Sequence, residues 1–151
     1  MLGEFNELYD NILVEIWTWE KKVDRLADRL EKNQIQTDSY KPDDVDPNNI
    51  PEADIYVFST LAEMFRIKKE MRNFMKNLEN VEGKNYGIIN THGMKRNRLK
   101  NMDKILSKEK MKKIAEEDFQ IAKEETEKGE GLPEGWKAEL DIFAEKLIRR
   151  S

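Results

Sequence analysis

The period of the hydrophobic positions changes several times along the chain, and each change predicts a new element. NILVEIW (11–17) is a β-branched apolar run preceded by Asp10, which predicts a strand, most naturally a central one. Val23, Leu26, Ala27 and Leu30 then recur at i, i+3, i+4 and i+7, with Asp, Arg and Lys between them, as in an amphipathic helix. QIQTDSY (34–40) alternates weakly, in the manner of an edge strand. KPDDVDPNNIPEAD holds three of the four prolines and reads as a loop. DIYVFST (54–60) is the clearest strand, and Ile67, Met71, Phe74, Met75 and Leu78 follow at helical spacing. After the turn VEGK, NYGIINTHG (85–93) predicts a strand running into a polar loop, and Leu99, Met102, Ile105 and Leu106 mark a further helix. Trp136, Leu140, Phe143, Ala144 and Leu147 lie on one face of a last helix, with Pro133 near its start and basic residues near its end. KMKKIAEEDFQIAKEE (110–125) stays open: Met111, Ile114, Ala115 and Phe119 have helical spacing, yet a strand would place Ile114 and Phe119 inside.

Strands that alternate with helices imply βαβ units and a mostly parallel sheet covered on both faces. Right-handed crossovers and a switch in strand order then place a ligand beyond the carboxyl ends of the strands. Those ends are Thr18-Trp19-Glu20, Ser59-Thr60-Leu61 and Asn90-Thr91-His92-Gly93.

Composition narrows the function. The 151 residues are 38% hydrophobic and 38% charged, enough for one domain with a real core under a heavily charged surface. A net charge of −4 argues against a general nucleic-acid binder, which needs a basic footprint. The absence of cysteine excludes disulfides, thiolate chemistry and cysteine-ligated zinc or iron–sulfur clusters. No apolar run approaches the roughly 20 residues of a membrane span, and MLGEFNELYD is acidic where a secretory leader is basic. A soluble cytoplasmic domain without nucleic-acid or membrane partners is the expectation. Residues 1–10 precede the first strand as an extension, with Phe5, Leu8 and Tyr9 at the spacing of a short helix.

PEADIYVFST, followed by KKEMRNFMKNLENVEGKNYGIINTHG, resembles the middle of a flavodoxin, including the turn that leads into the fourth strand. ILVEIWTW with VDRLADRL resembles the first strand and helix, and MKKIAEEDFQIAK with GLPEGWKAELDIFAEKL resembles the fifth strand and last helix. The resemblance spans residues 11–148 and favours a strand at 111–119. It implies a flavodoxin-like doubly wound five-stranded parallel sheet of order 2-1-3-4-5 over residues 11–151, with helices on both faces. It also implies non-covalent binding of FMN and low-potential electron transfer to a redox partner protein. FMN phosphate would then lie at the loop after the first strand, on Thr18, Trp19, Lys21 and Lys22. The flavin ring would be flanked by Ser59, Thr60, Leu61, Ala62 and Phe65 on one side and by Asn90, Thr91, His92 and Gly93 on the other.

The first of these loops departs from the family pattern, a Thr/Ser-rich turn with a glycine. Here it is shorter by about three positions, Thr18 is its one matching hydroxyl, and Glu20 brings negative charge to where a phosphate dianion would sit. A phosphate cradle needs several N–H and hydroxyl groups converging on one point, with glycine allowing close approach. TWEKK therefore stands either as a reduced phosphate site, with Lys21 and Lys22 in partial compensation, or as a plain tight turn. Three functional classes follow. The first is an FMN electron carrier, and the second a flavin enzyme such as an NAD(P)H-dependent reductase, for which no second nucleotide fingerprint is present. The third is a flavin-free interaction module that keeps the fold.

Other candidates weigh less. Trp17, Trp19, Phe65 and Tyr86 are candidates to stack a ring on flavin, Trp19 and Phe65 the better placed because they fall in loops, with core or rim packing as the alternative for each. His92, the single histidine, cannot build a multi-histidine metal site and reads as a loop residue, although beside a flavin it would tune redox chemistry. Glu63 and Arg66 read as an ion pair or as solvated. Glu116, Glu117 and Asp118 match neither an EF-hand loop nor an HExxH spacing and read as solvated. Ser59 lacks the surroundings of a nucleophile elbow.

Overall fold

The computed structural model describes residues 12–18, 23–63, 66–67, 69–92, 99–120 and 135–150. The extension at 1–10, the connection Trp19-Glu20-Lys21-Lys22, Phe65 and Gly93 lie outside the described residues. Five strands form one parallel sheet: β1 (Leu13–Thr18), β2 (Gln36–Tyr40), β3 (Ile55–Glu63), β4 (Asn85–His92) and β5 (Lys112–Gln120). Their spatial order is β2-β1-β3-β4-β5, as expected, with every neighbouring pair parallel. The helices are α1 (Val23–Lys32), α2 (Lys69–Lys76), α3 (Leu99–Lys108) and α4 (Trp136–Arg150).

Two cores separate the layers. Val14, Ile16, Ile55, Val57 and Ile89 meet Val23, Leu26 and Leu30 of α1 and Leu140, Phe143 and Leu147 of α4. On the opposite face Trp17, Tyr56, Phe58, Tyr86 and Ile88 meet Met71, Phe74 and Met75 of α2 and Met102 and Leu106 of α3. Alternate residues of the central strands feed alternate cores, so those strands read as continuous apolar runs. Helices α1 and α4 are also tied at the surface, where the Arg25 guanidinium donates to both oxygens of Asp141 at 3.2 and 2.9 Å.

The ambiguous segment is a strand. β5 pairs with β4 from Asn85↔Lys112 to His92↔Gln120, with a bulge between Tyr86 and Gly87 that leaves Ile114 as the extra residue. The bulge lets Ile114 and Ala115 both pack against the α1/α4 core, which is why their spacing imitates a helix. Opposite it, Gly87 accepts the edge of Phe143: a Cβ there would lie 2.7 Å from Phe143 Cζ. Two predicted boundaries move. β3 continues three residues past Thr60, because Leu61 still pairs with Thr91 of β4 and Ala62 and Glu63 pair in a short antiparallel ribbon. Ile67, predicted on a helix, instead pairs with Ala62 in a short antiparallel ribbon (Arg66–Ile67), where Arg66 is also in register with Glu63. α2 therefore starts at Lys69, and Leu78 is buried beyond its end.

Among the described residues no helix is long and apolar enough to cross a membrane.

Candidate functional site

The connection from β1 leads to α1 on one face and that from β3 to α2 on the other. The sheet's switch point therefore lies between the carboxyl ends of β1 and β3, where parallel α/β sheets leave a crevice. The rungs at that edge are Thr18↔Ser59↔Ile89, Thr60↔Asn90↔Asp118 and Leu61↔Thr91↔Phe119. Three sequence segments read as strand ends are thus adjacent, and Thr18, Ser59, Thr60, Asn90, Thr91 and His92 lie together at one end of the sheet, divided between its two faces. By the alternation of each strand, Thr18, Ser59 and Thr91 belong to the α1/α4 face, and Thr60, Asn90 and His92 to the α2/α3 face.

These residues are less loop-like than their sequence context implies. Ser59 and Thr60 are fully buried inside β3, and Leu61 and Ala62 also belong to that strand rather than to a loop. Thr18 closes β1 and is 8% exposed. Asn90, Thr91 and His92 are the last residues of β4, all buried, so His92 is not a loop residue. Polar residues in a strand signal a loop only when they lack partners, and here the sheet supplies the backbone partners.

Asp118, read from the sequence as solvated, organises the β4 end of the cluster. Its Oδ1 accepts a hydrogen bond from Asn90 Nδ2 at 3.0 Å, and its Oδ2 lies 2.6 Å from His92 Nε2. A carboxylate only accepts, so Nε2 carries the proton and Asn90 turns its amide nitrogen toward β5. Asn90 Oδ1 is left buried without a hydrogen-bond partner among the described residues. An i, i+2 spacing of Asn and His facing an acid on a neighbouring strand is the signal in the sequence. It is readable only once 111–119 is a strand in this register. Glu117 points the other way, and burial, followed by the charge of Glu139, holds its carboxyl above the usual range.

A second network on the α2/α3 face ties the opposite, amino ends of β4 and β5 to α3. Tyr86 donates to Asp103 Oδ1 at 2.8 Å, and Lys113 Nζ bridges Asp103 Oδ2 at 2.8 Å and Glu116. Burial and the bond to Asp103 push the Tyr86 hydroxyl well above its ordinary range. Tyr86 is thereby committed to structure. Trp17 is also core: it is fully buried, stacked on Tyr40 with centroids 4.8 Å apart and 4.7 Å from Phe74.

The fit to FMN differs between the two ends of the crevice. The ring end offers polar side chains, among them an unpartnered buried carbonyl on Asn90, as a heteroaromatic ring with polar edges requires. At the β1 end, where the resemblance would put the phosphate, four residues separate Thr18 from Val23 in the sequence, none of them glycine. In sequence this connection departs from a Thr/Ser-rich turn with glycine. Among the described residues no group of three or more acidic or histidine side chains is placed to hold a metal ion.

A parallel sheet of this order with helices on both faces is the flavodoxin-like fold, and comparison with solved structures agrees. A Streptococcus pneumonia TIGR4 flavodoxin superimposes with a TM-score of 0.73 at 21% identity, over 92% of this chain and 99% of that one. The two-electron reduced flavodoxin of Megasphaera elsdenii gives 0.68 at 13% identity, over 90% and 98%. Rubredoxin oxygen:oxidoreductase from Desulfovibrio gigas gives 0.68 at 12%, over 92% of this chain but 35% of that one. No family model matches the sequence, and no curated protein matches it. The chain has the flavodoxin-like fold.

Proposed function

We propose that this chain is a flavodoxin-like electron-transfer protein that binds FMN across the carboxyl ends of β1, β3 and β4, with a weak hold on the phosphate. The observation that carries this reading is the placement of Thr18, Ser59, Thr60, Asn90, Thr91 and His92 side by side at the switch point of a sheet shared with flavodoxins. FMN, when bound, supplies reversible electron uptake at low potential. The chain's own contribution is to hold the ring beside Thr60, Asn90 and His92, with Leu61, Ala62, Phe65 and Gly93 completing its flanks, and to exclude water from it. Thr18, Trp19, Lys21, Lys22 and the start of α1 receive the phosphate. The net charge of −4 suits a redox partner protein with a basic docking face.

Losing about two or three phosphate hydrogen bonds, at roughly 1.5–3 kcal/mol each for charged partners, weakens FMN by about two to six powers of ten relative to a complete cradle. The test is a flavin-fluorescence titration of FMN and riboflavin against the protein and its Glu20→Gln variant. Removing the carboxylate tightens FMN and leaves riboflavin nearly unchanged. Nanomolar FMN binding by the unaltered protein contradicts the weak cradle. The absence of glycine between Thr18 and Val23 also favours a second reading, a flavin-free interaction module. A protein that purifies colourless and binds neither flavin at millimolar concentration establishes that reading instead.

A further inference from the structure

Glu15 lies in the middle of β1 with no exposed surface, and neither of its carboxyl oxygens has a hydrogen-bond partner among the described residues. A carboxylate held away from water without donors is strongly disfavoured, and such a group keeps its proton instead. Its surroundings offer no relief. From β2 it faces Asp38, its partner in register, and Tyr40; from β3 it faces Tyr56. The Tyr56 hydroxyl is already committed, donating to the Pro51 carbonyl at 3.1 Å and accepting from the Ala53 N–H at 2.9 Å. The segment before β3 adds further acid around that hydroxyl, Glu52 and Asp54. Arg72, the half-buried charged residue of α2, makes no hydrogen bond to either Glu15 oxygen. Two residues along the same face of β1, the Trp17 indole N–H is buried and has no hydrogen-bond partner among the described residues either.

The element beside Glu15 is the one that is easiest to displace. β2 is a five-residue edge strand, half-buried or exposed at every position, tied to β1 from the Gln36 N–H on the Ile12 carbonyl at 3.2 Å onward. Residues 41–54 continue from it over the same face, with Val45 and Ile50 packed on the core. We propose that Glu15 is a proton-operated latch on this edge. With a neutral carboxyl, β2 and the 41–54 segment close over it; when the carboxyl ionises, they loosen and admit water to it. Burial, and then the charge of Asp38, push the Glu15 carboxyl up to about 7, so the latch operates near neutral pH. The proposal is independent of flavin binding.

Amide hydrogen exchange of β2, corrected for the intrinsic pH dependence of exchange, tests it on the intact protein. If the open form titrates at 4.5 and the closed form at about 7, opening increases about thirtyfold between roughly pH 5.5 and 8.5. The amides of β2 lose that protection while those of β4 keep theirs, Glu15→Gln abolishes the pH dependence, and Asp38→Asn moves its midpoint to lower pH. Protection in β2 that does not change with pH, or that changes equally in Glu15→Gln, overturns the latch. Should Glu15→Gln fail to fold, carbon-detected titration of the Glu15 carboxyl in the unaltered protein decides. An inflection near neutrality, coincident with shifts in β2, supports the proposal, and ordinary titration below about pH 5 overturns it.

Discussion

Adding one methyl group at Gly87 tests the seating of the last helix on the sheet. Phe143 of α4 is fully buried and its Cζ would lie 2.7 Å from the new Cβ, with Leu147 Cδ2 at 3.4 Å. Ordinary carbon–carbon contact begins near 3.5 Å, so the ring must retreat by most of an ångström inside a packed core. Overpacking of this kind costs about 1–3 kcal/mol. The obstructing atom is the far end of a rotatable ring, so Gly87→Ala is expected toward the lower part of that range. Phe143→Leu removes Cζ and itself destabilises by about 1–2 kcal/mol, less than the 3–5 kcal/mol of a truncation to alanine. The two changes relieve each other, so the double variant is less destabilised than the sum by about 1 kcal/mol. Urea unfolding followed by tryptophan fluorescence measures all four proteins, with the denaturant slope as a check on two-state behaviour. Additivity to within about 0.3 kcal/mol means that Phe143 does not rest on Gly87, and refutes this register of α4 over β4.

Glu15 gives stability an uncommon pH dependence. Its folded-state pKa of about 7 exceeds the ordinary 4.5, so the folded protein holds the proton more tightly and stability falls as pH rises through that window. The shift is worth about 3 kcal/mol once both states have ionised. Urea unfolding at a series of pH values shows that fall in the unaltered protein and not in Glu15→Gln; parallel curves contradict it. On β5, Asp118→Ala strands Asn90 and His92 and costs about 1–3 kcal/mol, whereas Glu116→Ala, whose side chain is 42% exposed, costs less than about 1. Equal losses in thermal or urea unfolding would show that Asp118 does not hold those two side chains. Arg25→Ala breaks a partly exposed ion pair with Asp141 and shifts stability by about 1 kcal/mol or less; a loss above about 2 kcal/mol would mean that the pair locks α1 to α4.

The sheet was legible because its central strands are buried on both faces and say so in uninterrupted apolar runs. Met71, Phe74, Leu140 and Phe143 likewise face the sheet as their helical spacing predicts. Residues 111–119 were not legible from periodicity, since a bulge at Ile114 imitates a helical repeat and tertiary pairing overrides the helix-favouring Lys and Glu. The site was legible only in outline. The strand-end residues were identified, but their burial within strands was not, because a serine or threonine paired by its neighbours looks in sequence like one in a loop. Asp118 escaped for a related reason: an acid reads as solvated until the partner strand shows that it faces a histidine and an asparagine. Glu15, inside an apolar run, had no reading of its own until β2 placed Asp38 beside it.

The most direct measurement of the central claim is an amide chemical-shift titration of the protein with FMN. The largest perturbations are predicted at Thr18, Ser59, Thr60 and Asn90 to His92, with the outer face of the last turns of α1, around Arg29 and Lys32, left unmoved. Perturbations confined to that outer face, or none at millimolar FMN, would contradict flavin binding at the carboxyl ends of the sheet.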